Sequence, residues 1–244
     1  MSIDLNCDMG EATGNDEAIM PFISSANIAC GYHAGDAKTM WQTTELAVNY
    51  GVAVGAHPSF PDKKNFGRTE MTMPFNEVYE IMIQQLILLN DVTTSFGVKL
   101  HHVKPHGALY NMSARDTGLA ETLAQAVKDF DDQLILFGLS GSHSISVAKA
   151  MGLQTASEVF ADRAYQDDGS LVPRSQPGAM IEDTTKAVEQ VLQMINEGTV
   201  TTISGYKIPI TAETVCIHGD GEHAVAFAKS VYAAIGEERG RRLS

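Results

Sequence analysis

The chain is short of positive charge. It sets 17 lysines and arginines against 30 aspartates and glutamates, a formal net charge of −13. A nucleic-acid groove needs a basic footprint, so the balance argues against that partner. No apolar run approaches the roughly 18 residues of a membrane span. The opening MSIDLNCDMGE has no basic region followed by an apolar stretch, so no secretory leader is expected. Cysteine is scarce: Cys7, Cys30 and Cys216 form no CxxC and lie in or at the end of apolar strand-like runs. An odd count in such settings reads as small buried thiols in a reducing cytoplasm, not a disulfide framework. Nothing cationic is obviously placed to activate any of them as a thiolate.

Several nucleotide and hydrolase signatures are missing too. There is no GxxxxGK[ST] phosphate loop, no HExxH, and no GxSxG, the nearest being GLSGS at Gly138–Ser142. Gly219–Ala224, GDGEHA, fits GxGxxA, but it lies in the last β/α unit and no later strand supplies a ribose acid. The helix start there, and more weakly Ser140–Ser144, could still hold a phosphate or carboxylate.

What is present is a repeated alternation of strand and helix. The 244 residues, 44% hydrophobic, suffice for a full core. Strands are expected at Ile3–Cys7, Ala26–Cys30, Val52–Ala56, Val98–Val103, Leu134–Leu139, Gln154–Phe160 and Glu213–Ile217. Helices are expected at Glu17–Phe22, Ala37–Tyr50, from a cap at Asn76 to Ser95, Asp116–Phe130 after a turn through Asn111–Arg115, Ile145–Met151, Glu182–Asn196 and Glu222–Ile235. Gly51, Gly152 and Gly236 would stop the helices before them. Such alternation implies a parallel sheet with helical crossovers, either a closed β/α barrel or an open doubly wound sheet. No linker or shift in composition divides the chain, so residues 1–244 read as one domain.

Polar residues recur where these strands end. Asp8 and Glu11 follow the first strand, His33 and Asp36 the second, His57 the third, and Lys104 and His106 the fourth. Glu158 lies inside the sixth, with Asp162 and Arg163 after it; His218 and Asp220 follow the last. In a parallel barrel these ends open on one face, so residues distant in sequence converge in one pocket. Each turn taken alone has a plainer reading, with His33 as a satisfied hydrogen-bonding group and Asp36 as a helix cap. A mix of His, Asp and Glu could hold a divalent metal, yet no compact ligand spacing distinguishes this from acid–base and binding work without one. A buried Glu158 requires a partner, which Lys104 or Arg163 could supply.

The ordered set LNCDMGE (Leu5–Glu11), NIACGYHAGD (Asn27–Asp36), GAHPSFPD (Gly55–Asp62), FGR (Phe66–Arg68), VKPHGALYN (Val103–Asn111), EVFADRAY (Glu158–Tyr165), LVPR (Leu171–Arg174) and HGD (His218–Asp220) closely resembles the family of 5-oxoprolinase A subunits. That family is also called LamB/YcsF or lactam utilisation. The resemblance implies a distorted, incomplete seven-stranded β/α barrel similar to glycoside hydrolase and deacetylase barrels. It implies ATP-dependent opening of 5-oxo-L-proline to L-glutamate in a cytoplasmic complex with separate B and C subunits, with Mg2+ accompanying the ATP. The family pattern carries over to Asp8, Glu11, His33, Asp36, His57, Lys104 and His106, read here as catalytic. It carries over equally to Glu158, Asp162, Arg163, His218 and Asp220, read as substrate-binding. Ala37, Asn65 and Thr69 depart from the family's commoner proline, glycine and arginine, beside the motifs. Two other readings use the same residues: a metal-dependent deacetylase or sugar hydrolase, and a non-catalytic protein that only binds the lactam.

Overall fold

The computed structural model describes residues 3–219 and 224–243, with side chains through Gly236. The first half runs β1 (Asp4–Met9), α1 (Asp16–Ile19), β2 (Ser25–Ala29), α2 (Ala37–Tyr50), β3 (Ala53–His57), α3 (Phe75–Ser95) and β4 (His102–Val103). It continues through α4 (Gly107–Arg115), α5 (Thr117–Phe130), β5 (Ile135–Leu139), α6 (His143–Ala150) and β6 (Gln154–Phe160). After α7 (Thr184–Glu197) comes an antiparallel hairpin of β7 (Thr199–Thr201) and β8 (Lys207–Pro209). Then β9 (Thr214–Ile217) and α8 (Ala224–Leu243) end the chain.

Seven parallel strands close a barrel in the order β1, β2, β3, β4, β5, β6, β9, with β9 returning to pair with β1. Closure removes the open doubly wound alternative. The strands are short and buried, and the helices cover them with apolar stripes such as Leu119, Leu123, Ala126 and Val127 of α5.

The barrel interior is polar. Along β1, Leu5, Cys7 and Met9 join the apolar core, whereas Asn6 and Asp8 bond across to other strands. Asn6 donates to Glu158 Oε1 at 2.9 Å and to Thr214 Oγ1 at 2.6 Å. Asn27 donates to Asn6 Oδ1 at 2.7 Å and Asp8 Oδ1 at 2.9 Å, and His102 Nε2 donates to Asn27 Oδ1 at 2.8 Å. Gly55 leaves room for the His102 ring, which a Cβ there would strike. A buried polar network of this kind depends on its members satisfying one another, and here Glu158 Oε2 is left without a hydrogen-bond partner among the described residues.

Several boundaries differ from the sequence reading. The segment Asn111–Arg115 belongs to a helix, α4, which starts straight after His106. Helix α3 begins one residue before Asn76, with Pro74 at its N-cap, so Asn76 makes no cap. Only His102 and Val103 of the expected fourth strand pair with neighbours, and α8 runs through Gly236 to Leu243. The β7–β8 hairpin is an addition to the expected strands; Ser204 and Gly205, the latter at φ 85°, mark its turn.

Candidate active site

Four successive strand ends bring Glu11, His33, His57 and His106 together. The sequence ends each strand with a glycine or proline nearby, so the chain turns before its helix and the imidazoles are left inside. Each ring is held from behind. His57 Nδ1 donates to the Lys104 carbonyl at 2.7 Å, and His106 Nε2 donates to the Phe66 carbonyl at 2.9 Å. His33 Nδ1 donates at 2.9 Å to Ser59 Oγ, whose own proton goes to the Phe60 carbonyl. Ser59 is in turn clamped by Gln85 of α3, which accepts from its N–H and donates to its carbonyl.

The forward nitrogens converge. His33 Nε2 lies 3.2 Å, His106 Nδ1 3.4 Å and His57 Nε2 3.8 Å from Glu11 Oε1. His57 Nε2 is 2.9 Å from His106 Nδ1 and 3.3 Å from Asp8 Oδ2. The His33 and His106 rings stack at 3.8 Å. Burial, followed by the neighbouring His57, pushes the His33 imidazole down to about 2 and holds His106 well below the ordinary histidine range. Both are neutral bases at physiological pH.

Deeper in the barrel, Lys104 sits in a cage of acceptors. Its Nζ is 2.8 Å from Asp8 Oδ1, 2.9 Å from Glu158 Oε1, 3.2 Å from Asn6 Oδ1 and 3.0 Å from Cys216 Sγ. Burial opposes the ammonium charge, but Asp8 and its neighbours outweigh it and keep Lys104 firmly protonated. The Asp8 carboxylate is likewise opposed by burial, yet His57 and Lys104 hold it well below the usual range. Glu158 thus finds its partner in Lys104, not Arg163. The three cysteines are buried free thiols; burial pushes Cys30 up to about 12 and raises Cys7 and Cys216 as well, which removes the thiolate reading.

A third group lies on the β6–β9 side. His218 Nδ1 donates to Asp162 Oδ2 at 2.7 Å, and Arg174 donates to His218 Nε2 at 3.0 Å. Asp162 Oδ1 is buried without a hydrogen-bond partner among the described residues. The Arg163 guanidinium is turned onto backbone, donating to the Val172 carbonyl at 2.7 Å and more weakly to that of Ala179. It pins the 164–180 loop over the barrel mouth.

Asp8, Glu11, His57, Lys104, His106, Arg163 and His218 share the wall of a cavity of about 680 Å³. Its outer rim adds Arg68, Arg115, His143 and Arg174. Asp36 does not join them: it is exposed, caps α2 by accepting from the Thr39 N–H at 2.8 Å, and is absent from the cavity wall. Asp220 lies outside the described residues. Sequence reasoning passed over Asn6, Asn27, Ser59, Phe66 and Gln85. The asparagines were visible as polar breaks in apolar strands, whereas Ser59, just after the third strand, and Gln85, inside α3, carried no signal.

Among the described residues, two sets of side chains have the composition of metal ligands. Glu11, His33, His57 and His106 offer four atoms all within 4.8 Å of one another, and Asp8, Cys216 and His218 offer three.

Comparison with known proteins gives a consistent picture. The model of the LamB/YcsF family matches residues 3–243. A Bordetella pertussis protein, named as the A subunit of 5-oxoprolinase, is 52% identical over 239 residues, covering 96% of this chain and 95% of its own. The crystal structure of a lactam utilization protein from Thermus thermophilus superposes with a TM-score of 0.92 at 42% identity, covering 98% of both chains. A family 4 carbohydrate esterase from Streptomyces lividans shares the fold alone, with a TM-score of 0.52 at 11% identity over 97% of this chain and 88% of the esterase.

Proposed function

This chain belongs to the LamB/YcsF family, and from that premise we propose that it opens 5-oxo-L-proline to L-glutamate as one component of an ATP-dependent 5-oxoprolinase. The observation that carries the reading is the barrel mouth: an ionised Asp8 beside neutral, buried imidazoles, with arginines on the rim. A five-membered lactam is a resonance-stabilised amide in an unstrained ring, so water attacks it slowly. Transfer of the ATP γ-phosphoryl group to the amide oxygen makes an imidate phosphate, a far better electrophile. With no phosphate loop in this chain, that transfer, with its Mg2+, falls to partner subunits of the B and C type, in the cytoplasm.

Asp8 then takes a proton from water as its oxygen bonds to the ring carbon. Both protons of that water pass by way of Asp8 to the ring nitrogen as the carbon–nitrogen bond breaks, with the His33–His57–His106 group orienting the water, and the acyl phosphate left behind is hydrolysed by a second water to the carboxylate and phosphate. Lys104, whose protons are committed to Asp8, Glu158 and Asn6, keeps Asp8 ionised instead of gripping substrate. Arg68 and Arg174, on the rim, are placed for the substrate carboxylate. Asp162, paired with His218, holds the group that Arg174 meets.

The test is glutamate release from 5-oxoproline and ATP by the chain reconstituted with its partner subunits. Asp8→Asn and His33→Ala are expected to fold and to lose on the order of 10²- to 10⁴-fold in turnover. Near-normal turnover in both would sink the assignment.

A further inference from the structure

The forward face of the imidazole group is more than an acid–base relay requires. We propose that Glu11 Oε1, His33 Nε2, His57 Nε2 and His106 Nδ1 bind one divalent transition-metal ion, with Zn2+ the best-fitting occupant. The inference stands apart from the lactam reading, since it concerns what these four atoms hold and not which bond the pocket breaks.

The hydrogen bonds behind the rings fix which nitrogen of each ring faces forward. A carbonyl oxygen can only accept, so His57 carries its proton on Nδ1 and His106 on Nε2. Ser59 Oγ spends its proton on the Phe60 carbonyl, so it accepts from His33 Nδ1. The other ring nitrogens, His33 Nε2, His57 Nε2 and His106 Nδ1, are thus turned toward one another and toward a carboxylate oxygen. His57 Nε2 and His106 Nδ1 are 2.9 Å apart. A cation placed among these four atoms would be within reach of all of them.

The spacing fits a metal. Tetrahedral zinc with bonds of 2.0–2.1 Å sets its ligand atoms about 3.3 Å apart. Four of the six separations here are 2.9, 3.2, 3.4 and 3.8 Å, around that value, and all six are within 4.8 Å. The backing pattern is also what metal-bound histidines show: the ring nitrogen away from the metal donates to a carbonyl or a similar acceptor, fixing tautomer and orientation. Three nitrogens and one carboxylate oxygen are borderline ligands, suited to Zn2+ and poorly suited to Mg2+ or Ca2+. Asp8 Oδ2, 3.3 Å from His57 Nε2, borders the same point. A water on the ion would therefore lie next to the carboxylate assigned as base.

The experiment uses the full chain, stripped with a chelator and titrated calorimetrically with ZnCl2 and, separately, MgCl2. One Zn2+ per chain is expected, with Mg2+ at least 10³-fold weaker. His33→Ala and His106→Ala should weaken Zn2+ binding by at least 100-fold. Ser59→Ala, which leaves every ligand in place, should weaken it roughly 10- to 100-fold. Cobalt absorption of the wild-type chain supplies a readout that needs no variant to fold: visible bands of low-symmetry, nitrogen-rich coordination are expected on adding one equivalent. Absence of stoichiometric Zn2+ and Co2+ uptake, or uptake undiminished by both histidine substitutions, overturns the proposal. Glutamate formation without metal uptake also overturns it while leaving the lactam reading intact. Metal uptake as described, in a complex that forms no glutamate, supports the site and defeats the lactam reading.

Discussion

Replacing Lys104 by methionine should invert how this protein responds to pH. The substitution keeps much of the side chain's volume and removes its charge, stranding Asp8 and Glu158, 8% and 0% exposed at their side chains, without their shared cation. Breaking a buried ion pair from one side costs about 3–5 kcal/mol, because the remaining charge is left in a poor solvent. The stranded carboxylates escape by taking up protons, which raises their folded-state pKa above the unfolded values of about 4. A group raised in this way destabilises only where it is forced to ionise, so the penalty is full at high pH and fades as pH falls. In the wild type Asp8 is shifted the opposite way, and its stabilisation is lost as pH falls through its depressed folded value. Both effects make the gap between wild type and variant widen with pH. We expect a gap of about 3–5 kcal/mol at pH 8 that narrows to below about 2 kcal/mol at pH 5. Urea unfolding of both proteins at the two pH values measures it, and taking the difference cancels histidine titrations common to both. Adding Glu158→Gln to the variant should recover a substantial part of the loss at pH 8. A gap under about 1 kcal/mol, or one that does not change with pH, would show that the Lys104 cage is not an ion pair of the kind described.

Two further outcomes follow from the geometry. His102 is wholly buried, donates to Asn27, and is held well below the ordinary histidine range by burial and then by His101. The unfolded chain binds a proton there below pH ~6.5 that the folded chain refuses, so stability falls with pH at about 1.4 kcal/mol per unit for this group alone. Urea midpoints of metal-stripped protein at pH 7.5, 6.0 and 5.0 should fall steadily, and a flat profile contradicts the burial of a neutral ring. Asp36→Ala should lower the thermal midpoint slightly through loss of the α2 cap, yet leave glutamate formation in the reconstituted complex unchanged. A large loss of turnover there would return Asp36 to the catalytic set.

The strand ends were legible because chemistry-bearing residues interrupt apolar runs at regular places, as at Asp8, His57 and Lys104. Helix α2 was legible to the residue, from Asp36 at its start to Gly51 at its end, because both caps are local devices. Helix α4 was not, since its start at Gly107 is imposed by packing: a Cβ on Gly107 would meet the Gly67 carbonyl at 2.5 Å. That contact joins residues far apart in sequence. The same limit hid Ser59 and Phe66, whose work is done on histidines from other strands. Distinguishing Lys104 from Arg163 as the partner of Glu158 likewise needed the barrel to be closed, because neither is near Glu158 along β6 in the required direction.

The polar barrel interior has a consequence for how the chain is made. Asn6, near the start, is hydrogen-bonded to Glu158 and to Thr214, partners 152 and 208 residues downstream. An ordinary apolar core can begin to bury itself as each strand emerges from the ribosome. Here the first strand carries an amide whose partners include residues of β6 and of the last strand, and non-local pairing of this order is slow to form. A nascent chain ending before β9 lacks Thr214 and the strand that joins β6 to β1, so the barrel closes only after synthesis of nearly the whole polypeptide. Proteins interrupted short of Ile217 should accordingly be substrates for quality control, not smaller folded versions of this one.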